Sequence, residues 1–208
     1  MQNKIEKILE FMKVLDKVCL VKRATLLSDG TSETDSSHSF KLAWLLMMIY
    51  PYLQHKYNYT RLLELALIHD IAEAETGDCP KAVQRANPQA KKLKDLQEAA
   101  AMQKYRDLLP AELGGRIFEI WREYEDKNTP ESRLVTALDK IDANLQANQH
   151  KNGDVRYWLE CEDGAQYLTI NTEKKQVVAV LDEPIVEALE DAVIALSFEN
   201  LRKCGIAV

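Results

Sequence analysis

No stretch of this chain stays apolar long enough to cross a bilayer. The longest run, Leu42 to Tyr50, falls far short of the roughly 20 residues a membrane helix needs. Excess positive charge is also missing. The formal net charge is −6, which argues against a nucleic-acid polymer or an anionic membrane as partner, since both call for a basic surface. Cysteine is sparse and scattered: Cys19, Cys79, Cys161 and Cys204 form no Cys-x-x-Cys pair, so neither a zinc knuckle nor a disulfide framework is indicated. The first residues, Met1 to Lys4, lead straight into an amphipathic helix without a signal-peptide core. Reduced thiols and no signal core make a cytoplasmic protein the expectation. Glycine is scarce as well, at 7 residues of 208, while 46% of the chain is hydrophobic. That composition favours a globular, helix-rich domain over a disordered chain. Internal repeats and low-complexity segments are absent.

What is present is helical periodicity. Ile5, Ile8, Leu9, Met12 and Leu15 recur at three- and four-residue steps. The stretch from about Lys22 to Ser37 then turns polar around Ser28-Asp29-Gly30 and reads as a long loop. A second helix is expected from Ser36 or Ser37 toward Pro51, and a third from a Thr60 cap to Gly77. A fourth opens at Pro88, a fifth at Pro110, and a sixth follows the Thr129-Pro130 cap to about Gln149. Between Tyr157 and Val180, two β-prone runs (residues 166–171 and 176–180) read as a hairpin. A last helix covers about 182–204. The expected architecture is all-α: a single domain over 1–208 with six to eight helices, a core of about 1–150, and a small β-hairpin over 157–180 near the C-terminus.

The dipeptide His69-Asp70 lies inside the apolar helical run Leu62 to Ala74. Unpaired buried charge costs several kcal/mol, roughly, or forces neutralisation. With His38 upstream and Asp139 downstream, two imidazoles and two carboxylates from three helices could surround one divalent cation. Glu73, four residues beyond His69 and three beyond Asp70, projects over the same side of the helix, placed to orient or deprotonate water. Asp78 follows Gly77, where the chain turns back, and is a further acid for the same cavity.

The order His38, His69-Asp70, Asp139 resembles the H…HD…D signature of the HD-domain metal-dependent phosphohydrolases. The stretch His69-Asp-Ile-Ala-Glu-Ala-Glu-Thr-Gly-Asp-Cys-Pro80 is similar to the H-D-x-x-E-x-x-x-G-D-x-P segment of their 5′-deoxynucleotidase branch. The resemblance covers about Phe11 to Gln149. It implies His38, His69, Asp70 and Asp139 as ligands of one divalent ion (Mn, Fe, Co, Ni or Zn), with Glu73 as the catalytic carboxylate and Asp78 as a supporting acid. It also implies Arg23 as the residue that holds the substrate phosphate through its bidentate fork. Hydrolysis of (deoxy)nucleoside 5′-monophosphates is then the expected activity. Another small phosphate ester, or a non-catalytic nucleotide sensor, is the alternative. A homodimer is a further implication of the resemblance. The chain departs from the pattern in three places: Ser37 stands where the family usually has an acidic residue, Ala24 where some relatives have a tryptophan beside the sugar, and the expected hairpin of residues 157–180 is an addition outside the family core. The G-Y-P motif of cyclic-dinucleotide phosphodiesterases is missing.

Overall fold

The computed structural model describes residues 1–78, 87–150, 153–156, 172 and 174–206. Helix α1 (Gln2–Val18) leads into strands β1 (Lys22–Leu26) and β2 (Ser32–Thr34), followed by α2 (Asp35–Ile49) and a short 3₁₀ turn (Tyr50–Tyr52). Next come α3 (Tyr59–Ile68), α4 (Glu73–Thr76), α5 (Pro88–Leu108), α6 (Ala111–Asp126) and α7 (Pro130–Gln149). The short α8 (Gln176–Ala179) and the long α9 (Pro184–Lys203) complete the bundle. Among the described residues no helix is long and apolar enough to cross a membrane.

The helix starts follow local chemistry. Thr34 caps α2 by accepting from the Ser37 amide, Asn58 caps α3 from the Arg61 amide, and Asn87 caps α5 from Gln89 and Ala90. Thr129 and Ser132 form a reciprocal capping pair ahead of α7, with Pro130 in its first turn. Asn58 therefore starts α3, and Thr60 is already helical.

Helix α7 is the axis of the bundle, packing against α2, α3, α6, α8, α9 and β1. Its apolar residues Leu134, Val135, Leu138 and Ile141 are fully buried, each side chain contributing roughly 1.5–3 kcal/mol by leaving water. They join Leu42, Leu46, Leu62, Leu65 and Ile120 in the larger core. A second cluster gathers Phe11, Met102, Tyr105 and Trp121 around Ile71 and Ala72, and Ile68 touches both clusters. The turn after Ile68 thus lies at the seam of two cores. This packed seam is where His69 and Asp70 sit.

The hairpin is not where the sequence suggested. It spans residues 22–34, near the N-terminus, with β1 and β2 antiparallel and a register irregularity between the pairs Lys22/Thr34 and Leu26/Ser32. Its turn is closed by Asp29, which accepts from the Thr31 amide and hydroxyl, and by Gly30 at φ 89°. The expected hairpin near the C-terminus is overturned in its second arm: Gln176–Ala179 is helical. There Val178 is buried against the core, so tertiary packing outweighs the β preference of a Val-rich run. Its first arm, residues 166–171, lies outside the described residues.

Candidate metal centre and active site

Helix α3 ends at Ile68, sooner than the apolar run implied. The chain then tightens, with the Ile71 amide bonded to the Ile68 carbonyl and the Glu73 amide to the Asp70 carbonyl. In such three-residue turns, positions i and i+3 eclipse, which lines Asp70 up with Glu73. Gly77, at φ 72°, stops α4 just before Asp78.

His38 enters from the first turn of α2, His69 from the end of α3, and Asp139 from the middle of α7. One donor atom from each lies within 4.8 Å of the others, and all three residues are buried. The hydrogen bonds fix which nitrogen of His69 faces this point. Its Nδ1 lies 2.9 Å from the Ala66 carbonyl, which can only accept, so Nδ1 carries the proton. In the neutral ring Nε2 then carries the lone pair, and that atom is buried without a hydrogen-bond partner. It lies 3.0 Å from Asp70 Oδ2, in a geometry that makes no hydrogen bond. His38 is held at both ends: Nδ1 is 2.8 Å from Asp142 Oδ2 and Nε2 is 3.0 Å from Asp139 Oδ1. Burial alone would lower the His38 pKa, but the hydrogen bonds to Asp139 and Asp142 outweigh it and raise the pKa to about 9. The slot therefore demands positive charge. The second Asp139 oxygen accepts from the Tyr124 hydroxyl at 3.2 Å. Burial, then the Asp139 charge, pushes this phenol well above its ordinary pKa, so it remains a donor.

Beside this triad, donor atoms of Asp35, Asp70 and Glu73 also lie within 4.8 Å of one another. Arg23 reaches in from β1, donating to Asp70 Oδ2 at 2.8 Å and to Asp35 Oδ1 at 3.4 Å. Burial raises the Asp70 carboxyl, but His69, whenever its ring carries a second proton, and Arg23 overcome it and hold Asp70 below the usual carboxylate range. Asp35 moves the other way, to about 6, because burial and the Asp70 charge outweigh Arg23. Glu73 is pushed up to about 10 by burial and by Asp70, against the pull of Lys94. Lys94 of α5 lies 2.7 Å from Glu73 Oε1 and 3.1 Å from Glu98. One oxygen of Asp35 and one of Glu73 are buried and unpartnered. Orphaned imidazole and carboxylate atoms in these two neighbouring clusters suit a divalent cation, and their mixed nitrogen and oxygen chemistry fits a transition metal.

Asp78 does not join either cluster. It lines a cleft of about 390 Å³ with Glu73, Gly77, Lys17, Lys22 and Val21, and its charge is felt by Arg23, Asp35 and Glu73. Ala24 is exposed, and successive residues of a strand face opposite sides, so it points away from the Arg23 face of β1. Sequence reasoning passed over Asp35, Lys94, Tyr124 and Asp142. Only Asp142 left a signal: three residues beyond Asp139, it shares that residue's face of α7.

The HD domain family profile matches residues 15–178. The 5′-deoxynucleotidase HDDC2 of Xenopus laevis is 31% identical over 153 residues, covering 73% of each chain. The 5′-deoxynucleotidase of Vibrio cholerae is 33% identical over 144 residues, covering 65% of this chain and 72% of its own. Among solved structures, a predicted metal-dependent phosphohydrolase from Magnetospirillum magnetotacticum superposes with a TM-score of 0.73 at 22% identity, over 99% of this chain and 100% of that one. A buried His/Asp metal centre at the seam of a helical bundle defines a class, the metal-dependent hydrolases of phosphate esters. This chain belongs to the HD-domain phosphohydrolases and is related to their 5′-deoxynucleotidase branch.

Proposed function

We propose that the chain hydrolyses nucleoside 5′-monophosphates to nucleoside and phosphate, with a preference for the deoxy forms. The observation that carries this is the convergence of His38, His69 and Asp139 beside the Asp35–Asp70–Glu73 carboxylates, in a chain whose relatives are named 5′-deoxynucleotidases. His38, His69, Asp70 and Asp139 are the proposed metal ligands. The ion, when bound, supplies Lewis acidity at a phosphate oxygen and a positive charge that favours the ionised forms of Asp70 and Glu73.

The chain's own residues perform the remaining work. Glu73, lined up with Asp70, takes the proton of the attacking water as the water oxygen bonds to phosphorus. The phosphorus–O5′ bond breaks, and the departing oxygen leaves as the nucleoside hydroxyl, taking up the proton that Glu73 received, passed on through Asp78 in the same cleft. Arg23, among the acidic groups, turns its guanidinium to the phosphate and offsets charge developing on it. The cleft between α1, β1 and α4 has room for the nucleoside, with Lys17 and Lys22 at its edge.

Turnover on a panel of deoxy- and ribonucleoside monophosphates, with p-nitrophenyl phosphate as a generic ester, tests the reading. Phosphate release should require a divalent ion, favour deoxynucleotides, and vanish in His69→Ala together with bound metal. Hydrolysis of the generic ester without release from any nucleotide would overturn the substrate assignment. Full metal occupancy in His69→Ala would overturn the ligand set.

A further inference from the structure

We infer that Asp142 is a positioning residue for the metal centre, fixing the tautomer and direction of His38 so that its Nε2 lone pair is presented to the ion. The inference rests on His38 being a ligand, as proposed above. A carboxylate accepts and does not donate, so Asp142 Oδ2, 2.8 Å from His38 Nδ1, requires the proton on Nδ1. Nε2, in hydrogen-bond contact with Asp139 Oδ1 at 3.0 Å, is then the ring nitrogen left over for an ion. His69 reaches the same state by another route, its Nδ1 proton going to the Ala66 carbonyl. Both imidazoles thus offer Nε2, one set by backbone and the other by a side chain supplied from α7.

Asp142 is itself fixed. It is buried, and Lys41 Nζ lies 3.7 Å from the same Oδ2. Lys41 also pairs with the fully buried Glu33 and donates to Gln146, whose amide donates to the Leu26 carbonyl of β1. Glu33, His38 and Asp142 form a cluster that could by spacing hold a cation of its own. The Lys41 ammonium already supplies positive charge there, so the Asp142 carboxylate serves His38 and not a second ion. The result is a chain of contacts from the hairpin, through Lys41 and Asp142, to one ring nitrogen. A carboxylate behind a ligating imidazole orients the ring and raises its basicity, and its loss typically costs about 10- to 100-fold in metal affinity.

Asp142→Asn is the direct test, read as Mn²⁺ and Zn²⁺ affinity of the purified chain by chelator competition at one pH, alongside thermal melting of the metal-free protein. The amide can turn its NH₂ toward Nδ1 and select the other tautomer. Affinity should fall about 10- to 100-fold, and Asp142→Glu should recover most of it. The Co²⁺-loaded variant should show altered visible absorption bands, which a purely structural role would not move. Should Asp142→Asn fold poorly, Asp142→Glu and Lys41→Met carry the test, the second with a smaller loss of affinity. Affinity within twofold of the parent in Asp142→Asn, or a fall in melting temperature with no change in affinity, overturns the inference. His38→Ala separates the two levels. If it keeps full affinity, the ligand assignment fails, whereas loss in His38→Ala but not in Asp142→Asn refutes only the positioning role.

Discussion

Replacing Lys94 with methionine should destabilise the metal-free chain, and by an amount that grows with pH. Lys94 sits between Glu73 and Glu98, at 2.7 and 3.1 Å, and all three side chains are at most 13% exposed. Breaking one buried ion pair costs about 3–5 kcal/mol, because the partner is left as an uncompensated charge. Glu73, raised to about 10, already carries a proton near neutrality in the metal-free chain, so one pair's worth is at stake, that with Glu98. Burying a methionine in place of the lysine returns part of this, leaving a loss of about 2–4 kcal/mol at pH 8. The sign of the pH dependence follows from proton linkage. Burial raises the Glu98 pKa above its unfolded value, and Lys94 opposes that rise. Without Lys94 both carboxyls rise further, the folded state binds more protons than the unfolded one, and stability falls as pH increases. Lower pH returns protons to the carboxyls, so the loss should be smaller at pH 5 than at pH 8. Urea unfolding with chelator at pH 5 and pH 8 measures both values. An equal loss at the two pH values, or a larger one at pH 5, would refute the argument.

Glu73→Gln should keep its divalent ion yet lose on the order of 10²-fold in kcat, the usual scale for a positioned base. Normal turnover in the metal-loaded variant would remove Glu73 from the mechanism. Arg23→Ala should weaken every nucleotide regardless of base, by roughly 2 kcal/mol in kcat/KM, since it removes a charged hydrogen bond to phosphate. A base-dependent effect would contradict that role. Gly153→Ala, far from the site, should lower stability by about 2 kcal/mol, or roughly 4–8 °C in Tm. Gly153 has φ 88°, and a Cβ there would collide with the Asn200 side chain, which donates to the Asn148 carbonyl. An unchanged melting temperature would show that Asn200 is free to move.

Helix boundaries marked by their own residues were legible in the sequence. Thr129-Pro130 announces α7, Pro88 opens α5, and Gly77 ends α4, because capping and φ preference act within one turn. The hairpin at 22–34 escaped notice for a physical reason. Of its partly or fully buried strand positions only Leu26 is apolar; Arg23, Thr25 and Glu33 are polar because they face carboxylates or Lys41 rather than an apolar core. Alternation of hydrophobicity, the usual sign of a half-buried strand, is absent there. The Val-rich 176–179 segment erred the other way, since two buried faces of α7 and α9 turned β-prone residues into a helical turn.

The site divides along the same line. His69, Asp70, Glu73 and Asp78 announce themselves through close spacing in one segment. Lys94 and Tyr124 do not, and Asp142 does so only by its spacing from Asp139, because each acquires its meaning from a residue on another element. Asp142 meets His38 across 104 positions, and Lys94 meets Glu73 across 21. On their own helices both are charged residues of the kind that usually face water. Each is instead enclosed by acidic or basic partners from another element, which leaves burial affordable only if the pairing is complete. The charges that hold the reacting groups in place are therefore the ones a linear reading assigns to the surface. In this fold they lie on α5 and α7, the two helices that close around the His69–Glu73 turn.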